Sequence, residues 1–393
     1  MFSATQKRWI VVYLLITMPI SGASVDIYVP SLPAMTAFFG VDASMTQLTI
    51  TFFLLGYGLF SLFFGPLSDS IGRKPPLLLG VILYVLSAVF IATTSSITVL
   101  LLLRFIQGIG VAAIAGVSRT ITPDVFQGER YAHVTNMTTI AWSVGPIVAP
   151  FIGGYFQHYL SWQWCFYTLA LYGLIQLVLM LCVLPETLAK KTPFSLSLLC
   201  NRSKTLLTSP LFVGSVLISG FVYSSIIVFN TIGPFLIQSV LGRTSIFYGY
   251  MALLMGTAFF IGNTVNKRLI ASSARRRLDI AICLIICAVV VESIMLMVFP
   301  INVYNIVIPT YIIILSAGLF FPNSYGTALR LHPEFSGTAS AILSMTFILT
   351  TSLMSAIAAA LKAHSQVDFT LLFVVIILLW SLIYFSLFRP SMR

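Results

Sequence analysis

Long apolar segments alternate with short polar ones along the whole chain. A helix that crosses a bilayer needs about 20 predominantly apolar residues, and about twelve segments of this length occur among the 393 residues. They cover roughly residues 8–29, 46–65, 76–95, 98–119, 134–156, 163–184, 212–237, 246–265, 279–299, 303–328, 338–360 and 367–387. The pattern therefore predicts an all-α membrane protein with twelve transmembrane helices.

Composition supports this prediction and adds a division into two halves. The chain is 59% hydrophobic and 8% charged, whereas soluble domains average about 25% charged residues. The longest polar stretch, 186–210, separates six predicted spans from six. We expect an N-terminal six-helix lobe over 1–185, a cytoplasmic linker over 186–210 and a C-terminal six-helix lobe over 211–393. Two such lobes are typical of transporters built from repeats.

The net charge of +11 follows the predicted topology. With twelve spans both termini share one side of the membrane, and most of the 21 Lys and Arg residues fall on that side. Loops rich in Lys and Arg are cytoplasmic, so both termini are predicted to be cytoplasmic and nucleic acid is not expected as a partner. Arg119 is placed at the cytoplasmic end of the fourth span, which leaves Arg104 as the arginine fully inside a span.

A weak internal repeat relates the two halves. Setting Gly65 on Gly262 places Asp69 against Asn266, and both loops then turn basic. Both sites lie where the second span of a half meets the third. The second copy has lost the acid, which indicates that the halves differ in function.

The loop GPLSDSIGRKP, residues 65–75, carries the strongest motif. Gly65 is expected to allow close helix packing and Gly72 a tight turn. Asp69 and Arg73 can form a charge cluster that exists in one conformation and breaks in another, and Asp124 can extend it. The loop resembles the one between spans two and three of the major facilitator superfamily, in which the matching positions are Gly65, Leu67, Asp69, Gly72, Arg73 and Lys74.

Two further stretches resemble motifs of the same superfamily. RFIQGIG in the fourth span matches at Arg104, Gln107, Gly108 and Gly110, and the glycines thin the helix for close packing. GPIVAPFIGG in the fifth span resembles a motif of exporters that exchange substrate for protons. Its prolines should bend the helix, and its glycines should let it pack closely; the matching residues are Gly145, Pro146, Pro150, Gly153 and Gly154.

The end of the predicted first span, SVDIYVPSLPAM, resembles one drug-efflux branch, the bicyclomycin and chloramphenicol resistance (Bcr/CflA) group. The matching positions are Asp26, Tyr28, Pro30, Leu32 and Pro33. Some relatives carry a second acid about two turns earlier, but LLITMPISG has none here. A coupling scheme with two acids is therefore not expected.

Asp26 also stands out without the resemblance. Of the ten acidic residues, only Asp26 and Glu292 fall in predicted spans beyond the first two residues of the span. An intramembrane carboxyl is costly and marks a functional site, often a proton relay. Asp26 is predicted a few residues below the outer surface, at a depth similar to that of Arg104, and we expect the two to approach directly or through water as the proton-coupling pair. Glu292 is expected away from any cavity, with a hydrogen bond to a neighbouring span.

A central cavity is implied by the superfamily fold. Aromatic walls suit flat lipophilic compounds, and an acid suits cations. The candidate lining residues are Tyr28, Tyr57, Gln107, Trp142, Tyr223, Phe229, Asn230 and Asn323.

The sequence thus predicts a proton-coupled secondary transporter that exports drugs or other toxic small molecules by alternating access across a bacterial inner membrane. No catalytic constellation, metal set or nucleotide-binding loop is present in the sequence, so no enzyme activity, metal or cofactor is expected, and a monomer is expected. Alternatives are an exporter or importer of a specific metabolite, such as a carboxylate siderophore, sugar or amino-acid derivative, and, less favoured, a channel or a membrane-embedded enzyme. Arg104 with a single deep acid would suit an anion.

Overall fold

The structure is a computed structural model that describes residues 2–193, 195–269, 274–331, 336–361 and 365–390. Within these residues twelve helices are long and apolar enough to cross a membrane, and no β-strand occurs, so the predicted fold class is confirmed. We label the spans α1 Ala4–Phe39, α2 Ala43–Ile71, α3 Lys74–Thr93, α4 Ile97–Val125, α5 Gly128–Tyr159, α6 Gln163–Val183, α7 Pro210–Val240, α8 Ser245–Arg268, α9 Arg275–Val298, α10 Val303–Arg330, α11 Gly337–Ala360 and α12 Gln366–Phe388.

Short polar residues begin many of the spans. The side chains of Ser96, Ser209, Thr244, Asn302 and Ser365 each accept a hydrogen bond from the backbone N–H three residues later. These caps satisfy backbone donors that the first helical turn leaves unpaired. The polar interruptions of the apolar pattern therefore fix where the helices begin.

The first span is longer and less regular than predicted. It continues to Phe39, where the sequence predicted an end near residue 29, and its helical pieces are interrupted next to Pro19 and again after Asp26. Proline lacks the N–H that the helix ladder needs, and Pro30 follows the second break. Asp26 consequently lies beside a discontinuity in the helix.

The two halves meet along two pairs of spans. α2 packs against α11, and α5 packs against α8. We call the membrane side of residues 71–74 the inner side and the opposite side the outer side. Within the linker predicted at 186–210, the helix Leu196–Leu207 packs on α7 and α11. The lobe boundaries themselves stay a prediction.

The internal repeat is present in the packing of the second span of each half on the fourth. A Cβ on Gly56 would meet the Phe105 carbonyl of α4, and one on Gly262 would meet the Leu315 carbonyl of α10. A Cβ on Gly65, in contrast, would have no neighbour within 4 Å, so the predicted close approach there is wrong. In this packing contact Gly262 corresponds to Gly56.

A second pair of glycines completes this repeat. Gly108 of α4 lies against the Phe53 carbonyl, and Gly318 of α10 lies against the Phe259 carbonyl. Each half thus brings its second and fourth spans into backbone contact through one glycine from each helix, as small residues permit in membranes. The predicted thinning of α4 at Gly108 is confirmed.

Candidate functional site

Asp26 is buried between the two halves. The residue is 2% exposed, and its Oδ1 accepts a hydrogen bond of 2.7 Å from Asn230 Nδ2 of α7. Tyr248 of α8 donates to the Asn230 Oδ1 at 3.5 Å. Because α1 continues to Phe39, the prediction that Asp26 lies a few residues below the outer surface is wrong. The carboxyl lies deep in the membrane and takes its partner from the other half.

Arg104 is fully buried and has several acceptors. Its Nη1 donates to the Gln107 Oε1 at 2.6 Å and to the Ser24 carbonyl at 3.1 Å, and its Nη2 donates to the Tyr28 hydroxyl at 3.2 Å. The guanidinium also lies 4.3 Å from the ring centre of Phe53. These contacts satisfy the charge inside the membrane, where an arginine without them is costly.

Arg104 therefore holds the chain on both sides of Asp26. Ser24 lies two residues before the acid and Tyr28 two residues after it. The helix break after Asp26 leaves the Ser24 carbonyl available as an acceptor. Among the described ion pairs there is none between Arg104 and Asp26, so the arginine fixes the backbone around the acid without a direct contact. The proton-coupling role of the two residues stays a prediction.

A narrow cavity of about 40 Å³ lies between the halves at mid-membrane. Pockets for drug-sized ligands have roughly 300–1,000 Å³, so the protein is closed around this cavity. Tyr57, Trp142, Tyr223 and Phe347 supply aromatic walls. Trp142 Nε1 donates to the Ser21 hydroxyl at 3.0 Å, which ties α5 to α1 beside the cavity.

Three of the eight predicted lining residues, Tyr57, Trp142 and Tyr223, surround this cavity. The other five lie elsewhere in this structure: Tyr28 and Gln107 bond Arg104, Phe229 stacks on Tyr248, Asn230 bonds Asp26, and Asn323 belongs to a polar cluster of the second half. Whether any of the eight contacts substrate stays a prediction.

Arg119 was missed by the sequence reasoning. It was placed at the inner helix end, but α4 continues six residues further to Val125, and Arg119 lines the cavity. Its Nη1 donates to the Ser344 hydroxyl of α11 at 2.8 Å, and the hydroxyls of Tyr57 and Tyr325 lie beside it. The helix runs through Pro123, so neither this proline nor Arg119 marks its end.

The outer parts of the halves are joined by hydrogen bonds between neutral groups. The Thr51 hydroxyl donates to the Ser355 hydroxyl at 3.0 Å, and Gln47 Nε2 donates to the Thr231 carbonyl at 3.1 Å. Further out, Gln238 Nε2 donates to the Pro30 carbonyl at 2.9 Å. These contacts close the cavity toward the outer side.

The predicted charge cluster is assembled at the inner side. Arg73 Nη1 lies 2.5 Å from Asp69 Oδ1, and Arg73 Nε lies 2.8 Å from Asp124 Oδ2. Arg73 Nη1 also donates to the Ser68 hydroxyl at 2.7 Å. Gly72 has a φ of 108°, so the predicted glycine-dependent turn is present as well. The breaking of this cluster in another conformation stays a prediction.

The residues after α6 are fastened to the same cluster. The Glu186 carboxylate accepts hydrogen bonds from the backbone N–H groups of Arg73 at 3.0 Å and of Lys74 at 3.2 Å. Burial alone would raise the pKa of Glu186, but the N–H donors of Arg73, Leu188 and Lys74 outweigh it and hold the pKa below its usual value of 4.5. The Thr192 N–H also bonds the Asp69 carbonyl. The start of the linker is thus tied to the loop between α2 and α3.

The three glycines of the α5 motif lie against backbone carbonyls of two other spans. A Cβ on Gly145 would meet the Pro19 carbonyl, and one on Gly153 would meet the Ile27 carbonyl, both in α1. Gly154 faces the Ser245 carbonyl of α8 in the other half. The predicted close packing is confirmed, whereas the bend at Pro146 and Pro150 stays a prediction.

The described part of the second half contains a counterpart of the charge cluster that is built on amides. Arg277 Nη2 donates to the Asn323 Oδ1 at 3.0 Å, and Asn323 Nδ2 donates to the Asn266 Oδ1 at 2.8 Å. Amides thus replace the carboxylates of the first half. Glu292 is fully buried and accepts a hydrogen bond of 3.1 Å from Thr370 of α12, which confirms the expected contact with a neighbouring span.

Known proteins resemble this chain over most of its length. The Bicyclomycin resistance protein homolog of Haemophilus influenzae is 26% identical over 341 residues, which cover 86% of this chain and 85% of that protein. The Multidrug resistance protein D of Escherichia coli is 26% identical over 363 residues, 90% of each chain. These relatives confirm the predicted resemblance to the bicyclomycin and chloramphenicol resistance branch.

Solved structures show the same fold. A POT family transporter in complex with 5-aminolevulinic acid superposes with a TM-score of 0.75 at 13% identity, covering 97% of this chain and 96% of that one. The sequence model described as Major Facilitator Superfamily matches residues 14–355. The chain therefore belongs to the Major Facilitator Superfamily and is a multi-pass membrane transporter of small molecules.

Proposed function

We propose that this protein exports drugs or other toxic small molecules in exchange for protons, as a monomer in a bacterial inner membrane with both termini in the cytoplasm. The inner side defined above would then face the cytoplasm. The proposal extends to this chain what the names of its relatives say of them, resistance to bicyclomycin and to multiple drugs.

The observation that carries the proposal is the position of Asp26. Its carboxyl is buried in a broken helix, and its described hydrogen-bond partner, Asn230, lies on the opposite half. A hydrogen bond to an ionised acceptor is stronger than one to a neutral acceptor. Gain or loss of one proton at Asp26 therefore changes the strength of a contact between the halves, which is what coupling a proton to their relative movement requires.

The cavity lies directly beside this acid. Val25, the residue before Asp26, lines the cavity, and so do Ser21 and Gly22 one turn earlier. Substrate that enters between the halves must widen a space of about 40 Å³, and it would do so next to the bond between Asp26 and Asn230. Substrate binding and protonation would then act on the same contact.

The test is proton movement in inside-out membrane vesicles. The vesicles are energised, the pH gradient is followed with a quenched acridine dye, and lipophilic cations, neutral antibiotics and polycarboxylates are added in turn. We expect at least one compound to release protons through the unmodified protein and none to do so through Asp26→Asn.

Asp42→Asn is the matched control, because it makes the same substitution at an exposed position before α2. It should respond like the unmodified protein. The coupling role of Asp26 would be refuted if Asp26→Asn still transported a compound against its gradient at the expense of the proton gradient. Exchange with protons would be refuted for the compound classes tested if none of them released protons through the unmodified protein.

A further inference from the structure

The polar lining of the central cavity is unbalanced in charge. Arg119 contributes a guanidinium, and none of the described residues that line the cavity is an aspartate or glutamate. Arg104, which the sequence suggested as an anion contact, is absent from this lining because Gln107, Tyr28 and the Ser24 carbonyl occupy it. Among the described residues that line the cavity, the cationic group is therefore Arg119.

The described contacts of Arg119 are with neutral groups. Nη1 donates to the Ser344 hydroxyl, and the hydroxyls of Tyr57 and Tyr325 lie beside the guanidinium. None of the ion pairs between described residues includes Arg119. A guanidinium has five N–H donors, and a cation taken out of water is stable only when paired or well bonded. A carboxylate is the partner whose geometry fits a guanidinium best, through two parallel hydrogen bonds.

We propose that Arg119 is the anion-binding residue of the substrate cavity and that the transported compounds are aromatic acids, with a carboxylate or a similar anionic group at one end. The inference rests on the proposed function, because it takes the central cavity as the path of the substrate. The anionic group displaces Ser344 from Arg119, and the apolar part lies between the rings of Tyr57, Trp142 and Tyr223.

The position of Asp26 is compatible with an acidic substrate. Arg119 lies toward the inner end of α4 and lines the cavity with Tyr57, while the Asp26 carboxyl bonds Asn230 of α7. The charge of the bound acid is compensated by Arg119 itself. Binding at Arg119 therefore does not require a proton on Asp26, and lipophilic cations find no anionic contact in the cavity lining.

The test is equilibrium binding to the purified full-length protein in lipid nanodiscs, without a proton gradient. Tritiated 1-naphthoate is the probe, and unlabelled 1-naphthamide and tetraphenylphosphonium compete with it. The first competitor keeps the ring and removes the charge, and the second is a lipophilic cation. A hydrogen bond from a guanidinium to a carboxylate contributes more binding free energy than one to a neutral amide. We therefore expect 1-naphthoate to bind at least tenfold more tightly than 1-naphthamide, a difference of about 1.4 kcal/mol.

The variants locate the charge that is responsible. Arg119→Gln should reduce the ratio of the two affinities to about one, while Arg119→Lys keeps part of the preference. Arg130→Gln removes an exposed arginine at the start of α5 and should leave the ratio unchanged. If Arg119→Gln fails to fold, Ser344→Ala replaces it as the second variant, and it should bind 1-naphthoate at least as tightly as the unmodified protein because it frees the guanidinium.

The proposal is overturned if 1-naphthamide or tetraphenylphosphonium binds as tightly as 1-naphthoate, if the preference survives in Arg119→Gln, or if millimolar 1-naphthoate does not bind. Failure of the proposed function is seen separately. Asp26→Asn should keep the preference for 1-naphthoate in this assay, whereas the role of Asp26 in proton exchange is read only in energised vesicles.

Discussion

Replacing Gly154 by alanine should push the two halves apart on the outer side. A Cβ at this position would lie 2.7 Å from the Ser245 carbonyl oxygen and 3.3 Å from the Ile246 Cα, both backbone atoms of α8. Because backbone atoms cannot turn away, α8 must retreat by about 0.7 Å to reach an ordinary separation of 3.4 Å. Overpacking of this kind costs about 1–3 kcal/mol, which shifts a two-state equilibrium by roughly 5- to 150-fold.

This shift can be measured by pulsed electron paramagnetic resonance, which gives the distance between spin labels at the outer ends of the halves. Spin labels at Phe38→Cys in α1 and Val240→Cys in α7 occupy residues that are 51% and 47% exposed, so the labels themselves fit without repacking. The five native cysteines are first replaced. We expect Gly154→Ala to raise the population with the longer distance, in which the outer side is open.

Gly153→Ala is the control, because its Cβ meets the Ile27 carbonyl of α1 in the same half. It should lower the unfolding temperature, but its distance distribution should be the same as that of the parent protein. The reasoning would be refuted by an unchanged distribution in Gly154→Ala, or by an equal shift in both variants, since either result would mean that the contact between α5 and α8 does not set the balance.

Three further outcomes are expected. Gly72→Ala should lower the stability by about 1–3 kcal/mol in thermal unfolding, because a φ of 108° strains any side chain, whereas Gly65→Ala has open space and should unfold like the parent. The amide protons of Arg73 and Lys74 should be protected from hydrogen exchange at neutral pH and lose this protection below about pH 4.5. The Glu186 carboxylate that binds them has a pKa below its usual value of 4.5, and its contribution is lost as the pH falls through the lowered pKa. Glu186→Gln should lack the protection at pH 7, and equal protection in both proteins would contradict the role of the carboxylate. Arg104→Lys should reduce compound-driven proton release at least tenfold, because a lysine lacks the planar fork whose Nη1 bonds the Ser24 carbonyl and whose Nη2 bonds the Tyr28 hydroxyl. Full activity would show that the backbone around Asp26 does not need these bonds.

The apolar pattern was sufficient for the fold but not for the depth of its polar residues. Twelve spans could be predicted because each is a long apolar run, and the loop at 65–75 could be recognised because its acid, glycine and bases have a fixed spacing. Asp26 was placed too near the outer surface because Pro30 and Pro33 resemble the end of a helix. In the structure Pro33 lies in the first turn of the last helical piece, Leu32–Phe39, and the span continues to Phe39.

Contacts between residues far apart in the sequence could not all be predicted, for a similar reason. Arg73 and Asp124 could be paired because both flank predicted inner helix ends, whereas Asn230 could be proposed as a cavity-lining residue but not as the partner of Asp26. That contact depends on how α7 faces α1, which the apolar pattern does not specify. Arg119 was placed at the end of the fourth span because the long apolar run ends there, although the helix continues to Val125.

The distribution of charge between the halves bears on how they move. Each ion pair between two described residues lies within one half: Arg73 with Asp69 and Asp124, and Arg389 with Asp279. The hydrogen bonds that join the halves use hydroxyls, amides and carbonyls, or pair a charged group with a neutral one.

Each neutral hydrogen bond contributes about 0.5–1.5 kcal/mol net, because water replaces it when the contact opens. Breaking a buried ion pair would instead leave uncompensated charge and cost about 3–5 kcal/mol. Since the contacts between the halves are of the first kind, the halves can separate at low cost. The bonds made by Asp26 and Arg119 are then the ones at which a proton or an anion can change the balance, because they alone among these contacts pair a charged side chain of the first half with a neutral group of the second.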